Sequence, residues 1–336
     1  MKSLCFWGDT HPAQLPEPRL IQKLTGGAPL ICNLEAPLTT RALLGAKATH
    51  LCADPAGVNR LNGAGVVAVH LANNHILDAG DAGLRDTCLH LRSRQIQYVG
   101  ILDDLGKSVD ARFEWVEVQI ALVGYGEYCR PPLACLDEAA MVARVRELRG
   151  TADRLIVSIH WGIEYVHTPS PDQRRIARRL LKAGADLVVG HHPHVAGVIE
   201  YTEHGAIAYS LGNASLWVSE AEGYPASRLG LQLKYDLIKG TLSFETLLLG
   251  DRPAQLWYSA SEHTPAGASG RPGWNAYLRE AGPVYLRSQA NGWRRRFRKY
   301  GLGQLGPLLR WFVSRMFLRM AWGCILAVPR ERDRRG

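Results

Sequence analysis

Six short apolar runs in this chain each stop at a residue able to hold a metal ion, and that recurrence limits the folds open to it. Leu4 to Trp7 runs into Gly8-Asp9-Thr10-His11, Leu30 to Cys32 into Asn33-Leu34-Glu35, and Val66 to Ala72 into Asn73-Asn74-His75. Farther along, Leu155 to Ile159 stops at His160, Leu187 to Val189 opens into Gly190-His191-His192-Pro193-His194, and Ala206 to Leu211 ends at Gly212-Asn213. Short uninterrupted apolar runs predict strands buried on both faces. In an open α/β sheet the site lies outside the carboxyl ends of such strands, so these distant segments are expected to converge at one edge.

Helical stretches alternate with the runs. Asp54-Pro55 offers an N-cap followed by proline, and Asp172 precedes a helix through Arg174, Arg175, Arg178 and Arg179 that stops at Gly184. The basic side of that helix is expected to be a solvated face over an apolar stripe, not a binding surface. Asp81 to Gln95 and Asp137 to Arg149 carry similar signals. From Gly230 onward the period changes: Leu231, Leu233 and Tyr235 alternate with polar residues, and Lys239-Gly240 turns the chain into Leu242 to Leu249, a hairpin pattern. The body is therefore predicted as α/β with added antiparallel strands.

The chain's net charge of +9 is unevenly placed. Residues 293–336 hold 12 Lys or Arg against Glu331 and Asp333, which leaves residues 1–292 with 28 basic and 29 acidic groups. A polyanion-binding catalytic domain is not implied, and no nucleic-acid partner is expected. Ser259 to Gly273 is rich in Ser, Ala, Gly and Pro, so the division expected is a domain over 1–258, a linker or long loop over 259–275, and a basic amphipathic helical tail over 276–336. In the tail, Arg310, Arg315 and Arg319 interrupt any span, while Trp311, Phe312, Phe317 and Trp322 supply interfacial anchors. Residues 293–336 are accordingly expected to lie on an anionic membrane surface. Only Met1-Lys2-Ser3 precede the first run, which leaves no room for a signal peptide. The seven cysteines show no short paired spacing, so the expected location is cytoplasmic, peripheral on the inner face of the membrane.

Five of the 12 histidines, namely His11, His75, His160, His192 and His194, fall at run exits, which favours a metal site over scattered structural roles. Asp9-Thr10-His11 sets a carboxylate and an imidazole two apart, and in His192-Pro193-His194 a proline stiffens two imidazoles. Imidazoles, carboxylates and an amide carbonyl without thiolate suit Mn, Fe or Zn. Two divalent ions can share such a set if one carboxylate, Glu35, bridges them, the arrangement of metal-assisted hydrolysis at phosphorus.

The order of these motifs resembles the calcineurin-like metallophosphoesterase superfamily. More narrowly, Asn33-Leu34-Glu35, Ala72-Asn73-Asn74-His75 with Asp78 and Gly80, His160-Trp161-Gly162-Ile163-Glu164-Tyr165, Gly184 to Val195 and Tyr209-Ser210-Leu211-Gly212-Asn213 resemble the CapA family of capsule and poly-γ-glutamate synthesis proteins. The resemblance implies a four-layer αββα sandwich with a dinuclear site. Asp9, His11 and His194 would hold one ion, Asn74, His160 and His192 the other, and Glu35 would bridge. It further implies that His75 acts as general acid or oxyanion stabiliser, that Lys47 binds an anionic substrate group, and that the substrate is an anionic polymer, peptide or phosphoester. Metal-dependent peptide epimerisation, with Glu164 or His191 as a second base, and a non-catalytic assembly role are the competing implications. Glu35 departs from the aspartate bridge of the superfamily, and His11 restores an Asp-x-His pair that many CapA-like chains lack.

Overall fold

Alternation of side chains along each strand gives every apolar run two different neighbours. In the computed structural model, which describes residues 2–45, 47, 49–216, 224–249, 256–259 and 281, the strand β1 (Ser3–Thr10) sends Leu4 and Phe6 to one side and Cys5 and Trp7 to the other. The first side faces a second sheet; the other faces helices. Strand β7 (Arg154–His160) in that second sheet does the same, with Ile156 turned to the first sheet and Leu155, Val157 and Ile159 turned to helices. Burial on both faces is what an unbroken apolar run demands.

The first sheet has β1, β2 (Leu30–Leu34), β3 (Val66–His70) and β4 (Gln97–Val99) in parallel. Its outer face is covered by α1 (Pro18–Thr25), α2 (Gly57–Gly63) and α3 (Gly80–Ser93), through Ile21, Leu24, Val58, Leu61, Leu84 and Leu91. The second sheet opens with β5 (Asp110–Trp115), antiparallel to β6 (Val118–Gly126), and continues with β7 and β8 (Leu187–His191) parallel to β6. It closes on β9 (Ile199–Thr202) and β10 (Gly205–Ala208), and α4 (Glu138–Arg149) and α5 (Pro171–Ala183) cover its outer face. The short β11 (Asn213–Ser215) then crosses back to pair with β1. The result is the four-layer αββα sandwich.

The hairpin forms where expected. β12 (Leu229–Asp236) and β13 (Leu242–Leu249) pair antiparallel, with Gly240 at φ 67° in the turn, and β14 (Leu256–Ser259) extends the sheet. Leu231, Leu233 and Tyr235 point between the sheets. Gln232 on the opposite face is fully buried, accepts from Trp7 Nε1 at 2.8 Å and donates to Leu24 O at 2.9 Å and Glu245 Oε2 at 2.8 Å.

Two helix starts differ from expectation. α5 is capped by Ser170, not Asp172: Ser170 Oγ accepts from Gln173 N while Gln173 Oε1 accepts from Ser170 N, with Pro171 at the first helical position. α2 begins at Gly57, because Asp54 caps a turn by accepting from Ala56 N before the helix proper. Asp137 does cap α4. Of the α5 arginines, Arg175 and Arg179 are exposed as expected and pair with Glu138, whereas Arg174 is buried and Arg178 part-buried against Glu200. The linker and tail readings over 260–336 lie outside the described residues, apart from position 281. Among the described residues no helix is long and apolar enough to cross a membrane.

Replacing Gln232 with leucine would leave the buried Trp7 indole N–H without an acceptor. We expect Gln232→Leu to lower folding stability by about 1–3 kcal/mol, read as a shift in denaturation midpoint with the far-UV spectrum unchanged.

Candidate metal centre

The apolar layer between the sheets ends in a polar cap. Residues in register with Ile31, Ala68, Ile156 and Val189, one step closer to the carboxyl ends, are Asn33, His70, Ser158 with His160, and His191. β1 and β2 deliver Asp9 and Glu35 beside them. Asp9, Glu35 and His194 each offer a ligand atom within 4.8 Å of the others, and all three are buried.

Asn33 ties the group together. Its amide nitrogen donates to Asp9 Oδ1 at 2.7 Å and lies 3.1 Å from Glu35 Oε1 and 3.2 Å from His160 Nδ1. Asn73 donates to Asn33 Oδ1 and to Leu34 O, and its own side-chain oxygen accepts from His75 N and Ile76 N. Asn74 Oδ1 lies 2.9 Å from His160 Nε2, and the His160 and His192 rings are 4.6 Å apart. His194 Nδ1 sits between Asp9 Oδ2 at 3.0 Å and Asn213 Oδ1 at 2.9 Å. Asp9, Glu35, Asn74, His160, His192 and His194 are thus brought together from five segments.

The histidine turn is strained. His192 has φ 95° and His194 φ 58°, left-handed backbone that side-chain-bearing residues seldom adopt. Pro193 O accepts from Tyr165 N at 2.7 Å, and His192 N lies 3.3 Å from Asp9 Oδ2. These bonds hold both imidazoles over the carboxylates.

Charge is poorly balanced inside this shell. Burial, then the Asp9 charge, pushes Glu35 well above the carboxylate range. Burial works against ionisation of Asp9 as well, yet the hydrogen bond and charge of His194 bring Asp9 below its ordinary value. Burial pulls His194 down, but Glu35 and Asp9 overcome it and hold its pKa up at about 10. Burial lowers His192 to about 4 and takes His160 well below its ordinary value. Neutral imidazoles beside buried carboxylates are the donor set of a divalent cation. Glu35 Oε2 and His192 Nδ1 are buried and lack hydrogen-bond partners.

Four expected residues are placed differently. His11 does not join the group of Asp9, Glu35 and His194: its Nε2 meets Cys52 O at 3.1 Å, and its Nδ1 is buried without a hydrogen-bond partner. His191 does not face a substrate. It continues the inward side of β8, buried, with Nε2 3.0 Å from Ser158 Oγ and its ring 5.6 Å from His70. Lys47 Nζ donates to Asp78 Oδ1 and Asn74 O, so it braces the loop of His75 while its stem stays part-exposed. Glu164 is half-buried, and its charge acts on Glu35, His192 and His194 without direct ligation. His75 keeps its place outside the cluster, with Nδ1 2.8 Å from Asp78 Oδ2.

The sequence assigns no role to Asn33, His70 or Asp78, and offers Asn213 only as a metal-capable run exit. Asn33 also stands at a run exit and could have been found there. Asp78 lay within the quoted motif. His70 gave no signal, because it sits inside an apolar run; burial and then the neighbouring His191 lower it to about 3. Tyr128 and Tyr165 flank the centre, their rings 4.8 Å from His192 and 6.1 Å from His194.

A family model described as bacterial capsule synthesis protein PGA_cap matches residues 19–215. The chain is 32% identical over 181 residues to the capsule biosynthesis protein CapA of Bacillus anthracis, covering 50% of this chain and 44% of that protein. It is 32% identical over 213 residues to the PGA biosynthesis protein CapA of Bacillus subtilis (strain 168), covering 59% and 54% respectively. The chain therefore spans about half the length of the curated relatives it matches. A crystal structure described as a novel phosphatase from Mycoplasma pneumoniae shares the fold, with a TM-score of 0.50 at 15% identity over 73% of this chain and 92% of that one.

Two outcomes follow from the electrostatics. His194→Ala and Asp9→Asn are expected to reduce bound divalent metal by at least about tenfold, since second- and first-layer losses at such sites weaken affinity on that scale or more; elemental analysis of dialysed protein reads it. In chelator-treated protein, a His194 pKa raised above the ordinary 6.5 stabilises the fold fully below about pH 6.5 and loses that contribution as pH rises through about 10. Glu35, raised likewise, adds destabilisation in the same direction as it ionises. Thermal midpoints should therefore fall from pH 6.5 to 10, and less steeply in His194→Gln. A flat or rising profile would contradict the assignment.

Proposed function

Because the chain belongs to the PGA_cap family of bacterial capsule synthesis proteins, we propose that it is a metal-dependent, hydrolase-type enzyme. Its substrate is an anionic cell-surface polymer of the poly-γ-glutamate kind, or a peptide or phosphoester formed while such a polymer is made or processed. The observation that carries this reading is the buried trio of Asp9, Glu35 and His194 within 4.8 Å. Two carboxylates at that spacing without a cation force one to stay protonated; a divalent ion removes the conflict.

The residues fit such a group. Asp9 and His194 would hold one ion, His160, His192 and Asn74 a second, and Glu35 would lie between them. Mn, Fe or Zn bound there supplies Lewis acidity toward a carbonyl or phosphoryl oxygen. Asn33 and Asn73 fix the carboxylates by hydrogen bonds before anything binds. Asn213 orients His194 through Nδ1. His75 stands outside this shell on the same loop as Asn74, and Asp78 accepts from its Nδ1, which leaves Nε2 as the face turned to substrate. In that tautomer His75 donates or withdraws a proton at the leaving or attacking atom. Lys47, by engaging Asp78 and Asn74 O, keeps that dyad and the Asn74 ligand in one rigid unit.

The test uses purified protein loaded separately with Mn, Fe and Zn and offered polyglutamate, peptide and phosphodiester substrates. His75→Ala should keep its metal and lose about 10²-fold or more in turnover, the scale of a positioned proton-transfer group. Asp78→Asn should shift the pH profile of kcat while leaving metal content intact. Turnover that simply follows metal content in His75→Ala would remove His75 from the chemistry. Fully loaded protein inert toward all three substrate classes would overturn the enzymatic reading.

A further inference from the structure

A loop from Glu127 to Leu136 joins β6 to α4 and lies against the metal centre. Its ends are pinned by backbone bonds, since Gly126 N donates to Ala134 O at 2.9 Å and Leu136 N to Gly126 O at 2.8 Å. Its first residues serve the site. Glu127 N donates to His160 O at 2.8 Å, Glu127 Oε2 accepts from Gly162 N at 2.8 Å, and Tyr128 donates to Gly162 O at 2.5 Å while its ring packs on His192. Between these contacts and the pinned end lie Cys129 and Cys135, both part-buried, with their sulfurs 2.7 Å apart. That is well inside ordinary non-bonded sulfur contact and about 0.7 Å longer than a covalent S–S bond.

We infer that Cys129 and Cys135 are a disulfide-forming pair that locks the loop carrying Glu127 and Tyr128 onto the metal centre. A small disulfide such as glutathione disulfide is the oxidant. The thiolate of one cysteine attacks it, the reagent S–S bond breaks, and a mixed disulfide forms with release of one thiol. The second cysteine then attacks the mixed disulfide, closes the Cys129–Cys135 bond and releases the second thiol. Two protein thiols are oxidised, one reagent disulfide is reduced to two thiols, and the two protons are carried by those products.

Competing uses of the pair are less consistent with the structure. Among the described residues, no metal-ligating group includes either sulfur. Of the four other described cysteines, Cys5 and Cys32 are strand residues of the core, with thiols pushed up to about 12 by burial, while Cys52 donates to Thr39 O and Cys88 packs against the core from α3. The sequence spacing of six gave no warning, because nothing in it shows that the loop folds back on itself.

The experiment equilibrates the full chain with glutathione disulfide or with excess dithiothreitol, blocks free thiols by alkylation and digests with trypsin. Cleavage at Arg112 and Arg144 leaves both cysteines in one fragment, because Arg130 precedes Pro131. In the oxidised sample that fragment should be lighter by two hydrogens and should carry no alkyl group; in the reduced sample it should carry two. The oxidised protein should melt higher by on the order of 5 °C, and its amides over 127–136 should exchange about tenfold more slowly. Cys135→Ser should show neither change. Two alkyl groups at every glutathione ratio, or bonding only to glutathione or to another cysteine, would overturn the inference. None of these readouts depends on metal or turnover, so failure here is distinct from failure of the enzymatic reading.

Discussion

Two carboxylates and an imidazolium buried within one small volume are the constraint on which the rest of this structure depends. Asp9 and Glu35 leave neighbouring strands and cannot both ionise cheaply in that setting. Every nearby polar group answers this problem. Asn33 donates to both carboxylates, and His194 gives Asp9 a charged partner, with Asn213 behind it. A buried group of two carboxylates and an imidazole of this kind could hold a metal ion, the reading proposed above.

The two-sheet architecture makes such a site possible. Apolar residues fill the space between the sheets as far as Ile31, Ala68, Ile156 and Val189, and polar residues begin one step later on each strand. The sheets also draw close there: a side-chain carbon added at Gly126 would lie 2.0 Å from Ala72 O, so only glycine allows the approach. That closeness puts His160 within reach of Asn33 and Asn74 from the opposite sheet. It also buries His70 and His191 behind the ligands, where low pKa values keep them neutral and able to hydrogen-bond.

The fold and most of the centre were legible in the chain because both rest on period. Unbroken apolar runs imply strands covered on two sides, and strand ends imply a shared edge. Asp9, Glu35, Asn74, His160, His192 and His194 all stand at such run ends, and the family resemblance implies them as ligands. His11 instead meets Cys52 O from a segment 41 residues away, a contact that spacing along the chain does not announce. His191 was misread because it ends a strand facing inward, whereas His192 and His194 belong to the turn after it. Nothing near Lys47 in the chain points to its partner Asp78, which lies 31 residues away. The Cys129–Cys135 contact was hidden for the opposite reason: close in sequence, it depends on a loop closure that only Ala134 and Leu136 reveal.

Metal uptake in such a centre cannot be independent of protons. Burial and then Asp9 raise the pKa of Glu35, while Glu35 and Asp9 raise that of His194 against the effect of burial. A cation that binds to these groups displaces both protons, so affinity must rise with pH until the competing protons are gone. His160 and His192 set the opposite condition, because burial already keeps them neutral and ready to ligate well below neutral pH. The centre therefore divides its ligands into a half that is ready at any physiological pH and a half that a proton guards. The guarded half contains Glu35 and His194, and His194 meets Asp9 of β1 across 185 positions of sequence through the strained turn after β8. A cation held there would act directly on the Asp9–His194 contact that joins the two sheets at this edge.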